Sequence, residues 1–241
     1  MMKELIILNF DETIATPDYT FLTLSPAPDN LGHFSVAISE LIALHVHYYA
    51  VRPNHFKLIN DYSNADYPVT RRDQCIIYVN CPQFYVPQFI YQLTHELCHW
   101  MIPKNVAANL RWFEETLAIA SSWFFPAKMN FMHMDILLPY IENTKTTSPS
   151  LNISELFKEG SHTIMDLENN SDNFTDCEKY NYVALKLLPK IEENPLFWRA
   201  VPKICNIPCG LSFKKSLEHW KSLLPSGPIS DAFSQVISSL Q

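Results

Sequence analysis

Glycine is scarce in this chain: there are four in 241 residues (Gly32, Gly160, Gly210 and Gly227), none close to another. That excludes the glycine-rich phosphate cradles and dinucleotide fingerprints, which need several glycines at short fixed spacing. Basic residues are also outnumbered, with 18 Lys and Arg against 25 Asp and Glu and a formal charge of −7. Proteins that grip phosphate backbones concentrate Lys and Arg on one face, so nucleic acid is not an expected partner. No apolar run reaches the roughly 20 residues that a membrane-spanning helix needs. Asp11 and Glu12 follow too soon after Leu5-Ile6-Ile7-Leu8 for a signal peptide. A cytoplasmic protein without a membrane partner is expected, and nothing in the sequence speaks to its oligomeric state.

What the chain does have is a folded protein's composition: 47% hydrophobic, 13% aromatic and 18% charged residues. The length fits one domain in two lobes: residues 1 to about 104 as a strand-containing N-terminal lobe, and about 105 to 241 as a mainly helical C-terminal lobe. Six cysteines are expected to stay reduced in a chain of this size without an export signal. Cys205 and Cys209 lack a second Cys or His pair at matching spacing, which argues against a second metal site.

Hydrophobic patterning gives an α+β fold. Lys3 to Phe10 reads as a first strand. A loop bearing Pro and Asp leads to a helix from Phe34 to Tyr49, with apolar residues at Phe34, Ile38, Leu41, Ile42 and Val46. His55 to Asn60 is a second strand, and the β-branched and aromatic run Cys75 to Asn80 a third. A helix then starts near Pro87 and ends about one turn after His99, before Pro103. Its apolar positions Val86, Phe89, Ile90, Leu93, Leu97 and Trp100 define a buried stripe. Another helix runs from about Arg111 to Phe125, stopped by Pro126. The aromatic segments around Phe197-Trp198 and Trp220 read as core.

Chemistry concentrates in His95-Glu96-Leu97-Cys98-His99. Residues four apart on a helix lie one turn above each other, so His95 and His99 can aim two imidazoles at one ion about 2 Å away. Glu96 is rotated about 100° from His95. It can stand beside the open coordination position without being a ligand, and accept a proton from water there as a general base. Zn2+ is the expected cofactor, and a catalytic zinc keeps three protein ligands, so a third is expected downstream.

The segment Arg111-Trp112-Phe113-Glu114-Glu115-Thr116-Leu117-Ala118 resembles the Trp-x-x-Glu-Gly-Leu-Ala pattern of the glutamate-zincins, the metallopeptidase clan with thermolysin-like and aminopeptidase families. The resemblance covers about thirty residues, from the start of the motif helix to Ala118. It implies a zincin-like fold with a small mixed N-terminal sheet, peptide hydrolysis by activated water, a peptide or protein substrate, and Glu115 as third ligand. Thr116 stands where the pattern has glycine, and fifteen residues separate His99 from Glu115, short for the clan. Glu114 and His133 are the alternative ligands.

The same resemblance gives Tyr180, at the start of a C-terminal helix, the role of oxyanion donor. Tyr182 and His162 compete for it. It also makes Ile76 to Val79 the strand that pairs with an extended substrate. Two further readings compete with a peptidase: a zincin-derived binding or regulatory protein, and a closed structural zinc site. Glu96 speaks against the first, since a non-catalytic descendant has no chemical need of it. The absence of a Cys pair at finger-like spacing speaks against the second.

Overall fold

The computed structural model describes residues 10–24, 31–61, 68–81, 85–145 and 177–240. Phe10–Ala15 (β1) and Tyr19–Leu24 (β2) pair as an antiparallel hairpin. This is a correction to the loop expected after Phe10. Buried Tyr19, Phe21 and Thr23 alternate with half-buried Thr20 and Leu22, the period-two signature of a strand. Thr16 closes the turn, its hydroxyl accepting from the Asp18 and Tyr19 amides at 3.3 and 3.1 Å. Of the expected first strand, Lys3–Asn9 lies outside the described residues.

Helix α1 (Leu31–Tyr49) carries the chain to β3 (Phe56–Asn60), parallel to β2. Then come β4 (Val69–Arg71) and β5 (Ile76–Val79). The sheet is mixed, in the order β1-β2-β3-β5-β4, with β5 parallel to β3 and antiparallel to β4. Ile76 to Val79 is therefore hydrogen-bonded on both sides and cannot add a substrate strand, which corrects the role expected of it. Among the described residues the edge on that side is β4. Three residues are too few to carry a readable alternation. The β4–β5 turn closes with Cys75 at φ 55°, a left-handed conformation uncommon for a residue with a Cβ.

Helix α2 (Val86–Met101) has proline in its first turn and ends before Pro103. Phe89 on α2 meets Phe34 of α1 edge-on, ring centroids 4.8 Å apart, and Phe21 of β2 at 5.7 Å. These three buried rings join the sheet and two helices, each contributing about 2–3 kcal/mol by burial. Helix α3 (Arg111–Phe124) packs on α2, followed by α4 (Met134–Thr144) and α5 (Cys177–Glu193). Two 3₁₀ segments, Pro195–Arg199 and Val201–Asn206, precede α6 (Phe213–Ser222) and α7 (Pro228–Ser238). The architecture is mixed α+β, and no described helix is long and apolar enough to cross a membrane. Trp198 and Trp220 are fully buried core residues, and the Trp220 indole donates to Ala200 O at 2.9 Å.

Behind α2 lies a buried polar layer. The His45 ring donates from Nδ1 to Leu41 O at 2.8 Å, and its Nε2 faces Ser121 Oγ of α3 at 3.3 Å. Burial pulls its pKa down to about 4, so the ring is neutral. The Tyr49 hydroxyl donates to Cys98 Sγ at 3.1 Å, and burial pushes the Cys98 thiol up to about 12. That cysteine is a packed, protonated group rather than a ligand or nucleophile.

Candidate metal centre

Helical periodicity puts His95 and His99 on one face of α2, where their Nε2 atoms stand 3.3 Å apart. Glu115, in the second turn of α3, spans both: Oε2 lies 3.2 Å from His95 Nε2 and Oε1 lies 3.4 Å from His99 Nε2. Taking one oxygen from Glu115, the three ligand atoms all fall within 4.8 Å of one another, the one such group among the described residues. Zinc–ligand bonds of about 2.0–2.1 Å at tetrahedral angles require ligand separations of about 3.3 Å. The two imidazole nitrogens, 3.3 Å apart, meet that spacing, and the Glu115 carboxylate, with one oxygen 3.2 Å from His95 Nε2 and the other 3.4 Å from His99 Nε2, supplies a third donor of suitable chemistry.

Glu114 takes a different place. Its Oε1 accepts from His99 Nδ1 at 2.9 Å, on the side of the ring opposite the cluster. The same oxygen accepts from Arg72 Nη2 at 2.7 Å. A carboxylate on the outer nitrogen fixes the imidazole's orientation, with Nε2 turned to the cluster. Arg72 lies just past β4 and is bound on four sides. Its Nε donates to His99 O and Ile102 O at 3.1 and 3.0 Å, Nη2 also to His99 O, and Nη1 to Asn105 Oδ1 at 3.2 Å. The guanidinium thus caps the last carbonyls of α2, where a cation complements the helix dipole, and neutralises the carboxylate behind His99.

Glu96 is 3% exposed. Thr70 Oγ1, on the edge strand, donates to its Oε2 at 2.7 Å and to its backbone carbonyl at 3.0 Å. Burial raises the Glu96 pKa, more than the neighbouring His99 and His95 rings and the Thr70 hydroxyl lower it. Glu115 and Glu114 shift the other way: burial would raise them, but His99 outweighs it, with His95 and Arg72 respectively, and both are held below the ordinary carboxylate range. For His99, burial works against the charged ring, yet Glu115 and Glu114 hold its pKa well above the usual value. The pocket favours positive charge.

His133 is not one of the three grouped ligand residues. His133 is the residue before α4, its ring 5.5 Å from that of Phe131. Tyr180 is buried in the core at the start of α5, a helix packed against α3, and Tyr182 is half-buried with Lys186 over its ring. His162 lies outside the described residues. Sequence reading missed Thr70 and Arg72, and it weighed Glu114 only as an alternative ligand. Thr70 precedes Glu96 by 26 residues and Arg72 precedes His99 by 27, so no local pattern links them. Comparison with known proteins gave no match to a family model, a curated protein or a solved structure.

Proposed function

We propose that this protein is a zinc-dependent peptidase of the glutamate-zincin type, with His95, His99 and Glu115 as ligands and Glu96 as general base. The observation that carries the reading is the grouping of His95 Nε2, His99 Nε2 and one Glu115 oxygen within 4.8 Å of one another. Zinc held by such a set supplies an acidified water and polarises a carbonyl oxygen. The protein's own part is positioning and proton transfer. Glu114 and Arg72 orient His99 from behind. Glu96, held by Thr70 next to the cluster, has its pKa moved toward neutrality, where a carboxylate works better as a proton acceptor and later donor. β4, which ends the sheet among the described residues and runs directly into Arg72, suits an extended peptide laid along the edge of the sheet.

The test compares wild type with Glu96→Gln on a diverse peptide library, with zinc content measured in both. Removing the base is expected to lower turnover by at least about 100-fold and leave zinc content unchanged. Equal turnover, or none from either protein at full zinc loading, overturns the peptidase assignment and leaves a non-catalytic zinc-binding module. Absence of zinc from both overturns the metal reading itself.

A further inference from the structure

Helix α1 has a second face, away from the metal centre. Ser39, Ala43 and Val46 recur on it at four- and three-residue steps, with Ile42 beside them, and Ser39 and Ala43 are exposed. Ala43 and His45 point about 200° apart around the axis, so this face is turned from Ser121 of α3, which His45 meets. The two small side chains leave a pocket of about 250 Å³ between α1 and the β1–β2 turn, with Arg52 among its walls. The pocket shares no residue with the metal centre. The turn that forms its other wall is held in place. Thr16 Oγ1 accepts from the Asp18 and Tyr19 amides, Asp18 O accepts from the Phe56 amide at 3.3 Å, and the Tyr19 hydroxyl lies 3.2 Å from Ser39 Oγ.

Asp18 and Arg52 stand together at this pocket. Arg52 donates from Nε and Nη2 to the same oxygen, Asp18 Oδ1, at 3.3 and 3.0 Å. Asp18 Oδ2 and Arg52 Nη1 make no further hydrogen bond among the described residues. The Arg52 and Asp18 side chains are 72% and 34% exposed, and an ion pair so open to water contributes little to stability. What the pair supplies is one spare acceptor and one spare donor of opposite charge, side by side, at a pocket lined with the apolar Ile42, Ala43 and Val46. We propose that this pocket binds a free α-amino acid with an aliphatic side chain. Its ammonium group takes Asp18 Oδ2, its carboxylate takes Arg52 Nη1, and its side chain packs on the α1 face. Charge complementarity selects the class: a simple cation is repelled by Arg52 and a simple anion by Asp18, whereas a zwitterion satisfies both. Only a free amino acid carries the two charges on one carbon, since in a peptide the chain separates them. At about 250 Å³ the pocket is smaller than the roughly 300–1,000 Å³ that drug-sized ligands occupy, which fits an occupant of leucine's size. The inference is independent of the peptidase reading and needs no metal.

The experiment is NMR titration of the isotope-labelled full chain with leucine, glycine, leucinamide and isocaproate. Leucine is expected to move the backbone signals of Asp18, Ala43 and Val46 saturably, with a dissociation constant of about 1 mM or below. Glycine, which lacks the apolar contact, should bind at least about 10-fold more weakly. Leucinamide, without the carboxylate, and isocaproate, without the ammonium group, should each lose at least about 10-fold as well. Ala43→Trp fills the pocket from an exposed helix position, and Arg52→Gln removes the cation. Each should weaken leucine binding by at least about 10-fold, with thermal melts checking that both variants fold. No saturable shift with leucine up to about 10 mM, or an unchanged leucine affinity in both variants, overturns the site. Leucinamide or isocaproate binding as tightly as leucine overturns the amino-acid assignment.

Discussion

Arg72→Ala offers the most searching test of how the site is held. The substitution removes the guanidinium from Glu114 Oε1 at 2.7 Å and from the carbonyls of His99 and Ile102. At an effective dielectric constant of about 20, a charge pair at that separation attracts by about 6 kcal/mol. Much of this is offset by the cost of bringing both groups out of water. The relevant quantity is what remains when one partner goes. Glu114, 6% exposed, is left as a buried carboxylate with His99 as its remaining ionic partner among the described residues. Because that ring still offsets part of the charge, the loss should be about 1–3 kcal/mol, which urea denaturation at pH 7 measures directly. Because His99 loses its fixed orientation, zinc affinity measured by chelator competition should fall about 10- to 100-fold. Glu114→Gln keeps the shape but removes the charge, so adding it to Arg72→Ala should restore part of the lost stability. The double mutant should be more stable than the sum of the two single changes predicts, by about 1–3 kcal/mol. Strict additivity, or a loss below about 1 kcal/mol for Arg72→Ala, would refute the reasoning.

Zinc at 100 times its dissociation constant should stabilise wild type by about 2.7 kcal/mol, and His95→Ala should abolish that gain in thermal melts with and without metal. Thr70→Val deletes the hydroxyl that reaches Glu96 Oε2, so the Glu96 carboxyl should titrate still higher, and stability at neutral pH should drop by about 1–3 kcal/mol. Thr70→Ser should behave as wild type in the same denaturation series. His45 predicts a pH effect with a definite sign. Its folded pKa is about 4 and its ordinary value 6.5, so between those limits the unfolded chain takes up a proton that the folded protein refuses. Stability should therefore fall as pH drops through that window, by up to about 1.4 kcal/mol per unit and about 3 kcal/mol in all. That slope should be missing from His45→Gln, so the difference between wild type and the variant should contain it. A wild-type excess slope of zero would show that the ring is hydrated or charged in the folded state.

The elements most legible in the sequence are those whose signals are local. Proline in the first turn and Pro103 beyond the end bracket α2, and the spacing of Phe89, Leu93, Leu97 and Trp100 gives its buried face. His95, Glu96 and His99 are legible for the same reason, since an i, i+4 pair needs nothing beyond one helix. Glu115 was reachable only through a resemblance, because periodicity cannot say which of two adjacent acids on α3 faces another helix. β4 escaped because three residues cannot show a pattern, and with it went Thr70 and Arg72. Their roles come from the register of an antiparallel edge strand, in which Thr70 pairs with Ile77 and Arg71 with Ile76, set down beside a helix that starts fifteen residues later. The β1–β2 hairpin was missed for a different reason: Thr16-Pro17-Asp18 was read as the start of a long loop rather than as a tight reversal between two strands.

The two acids at the start of α3 have a consequence for what the chain can change. Consecutive helical residues point about 100° apart, and here that offset places one carboxylate on each nitrogen of the same imidazole, Glu114 on Nδ1 and Glu115 at Nε2. The length of the connection from Ile102 to Leu110 sets the rotational phase of α3. One extra residue passed on into the helix would put Phe113 in the place of Glu114 and Glu114 in the place of Glu115, leaving His99 Nδ1 without its carboxylate. The tolerance of this site is thus measured in degrees about one helix axis, and insertions in that short connection should be among the least forgiving changes in the protein.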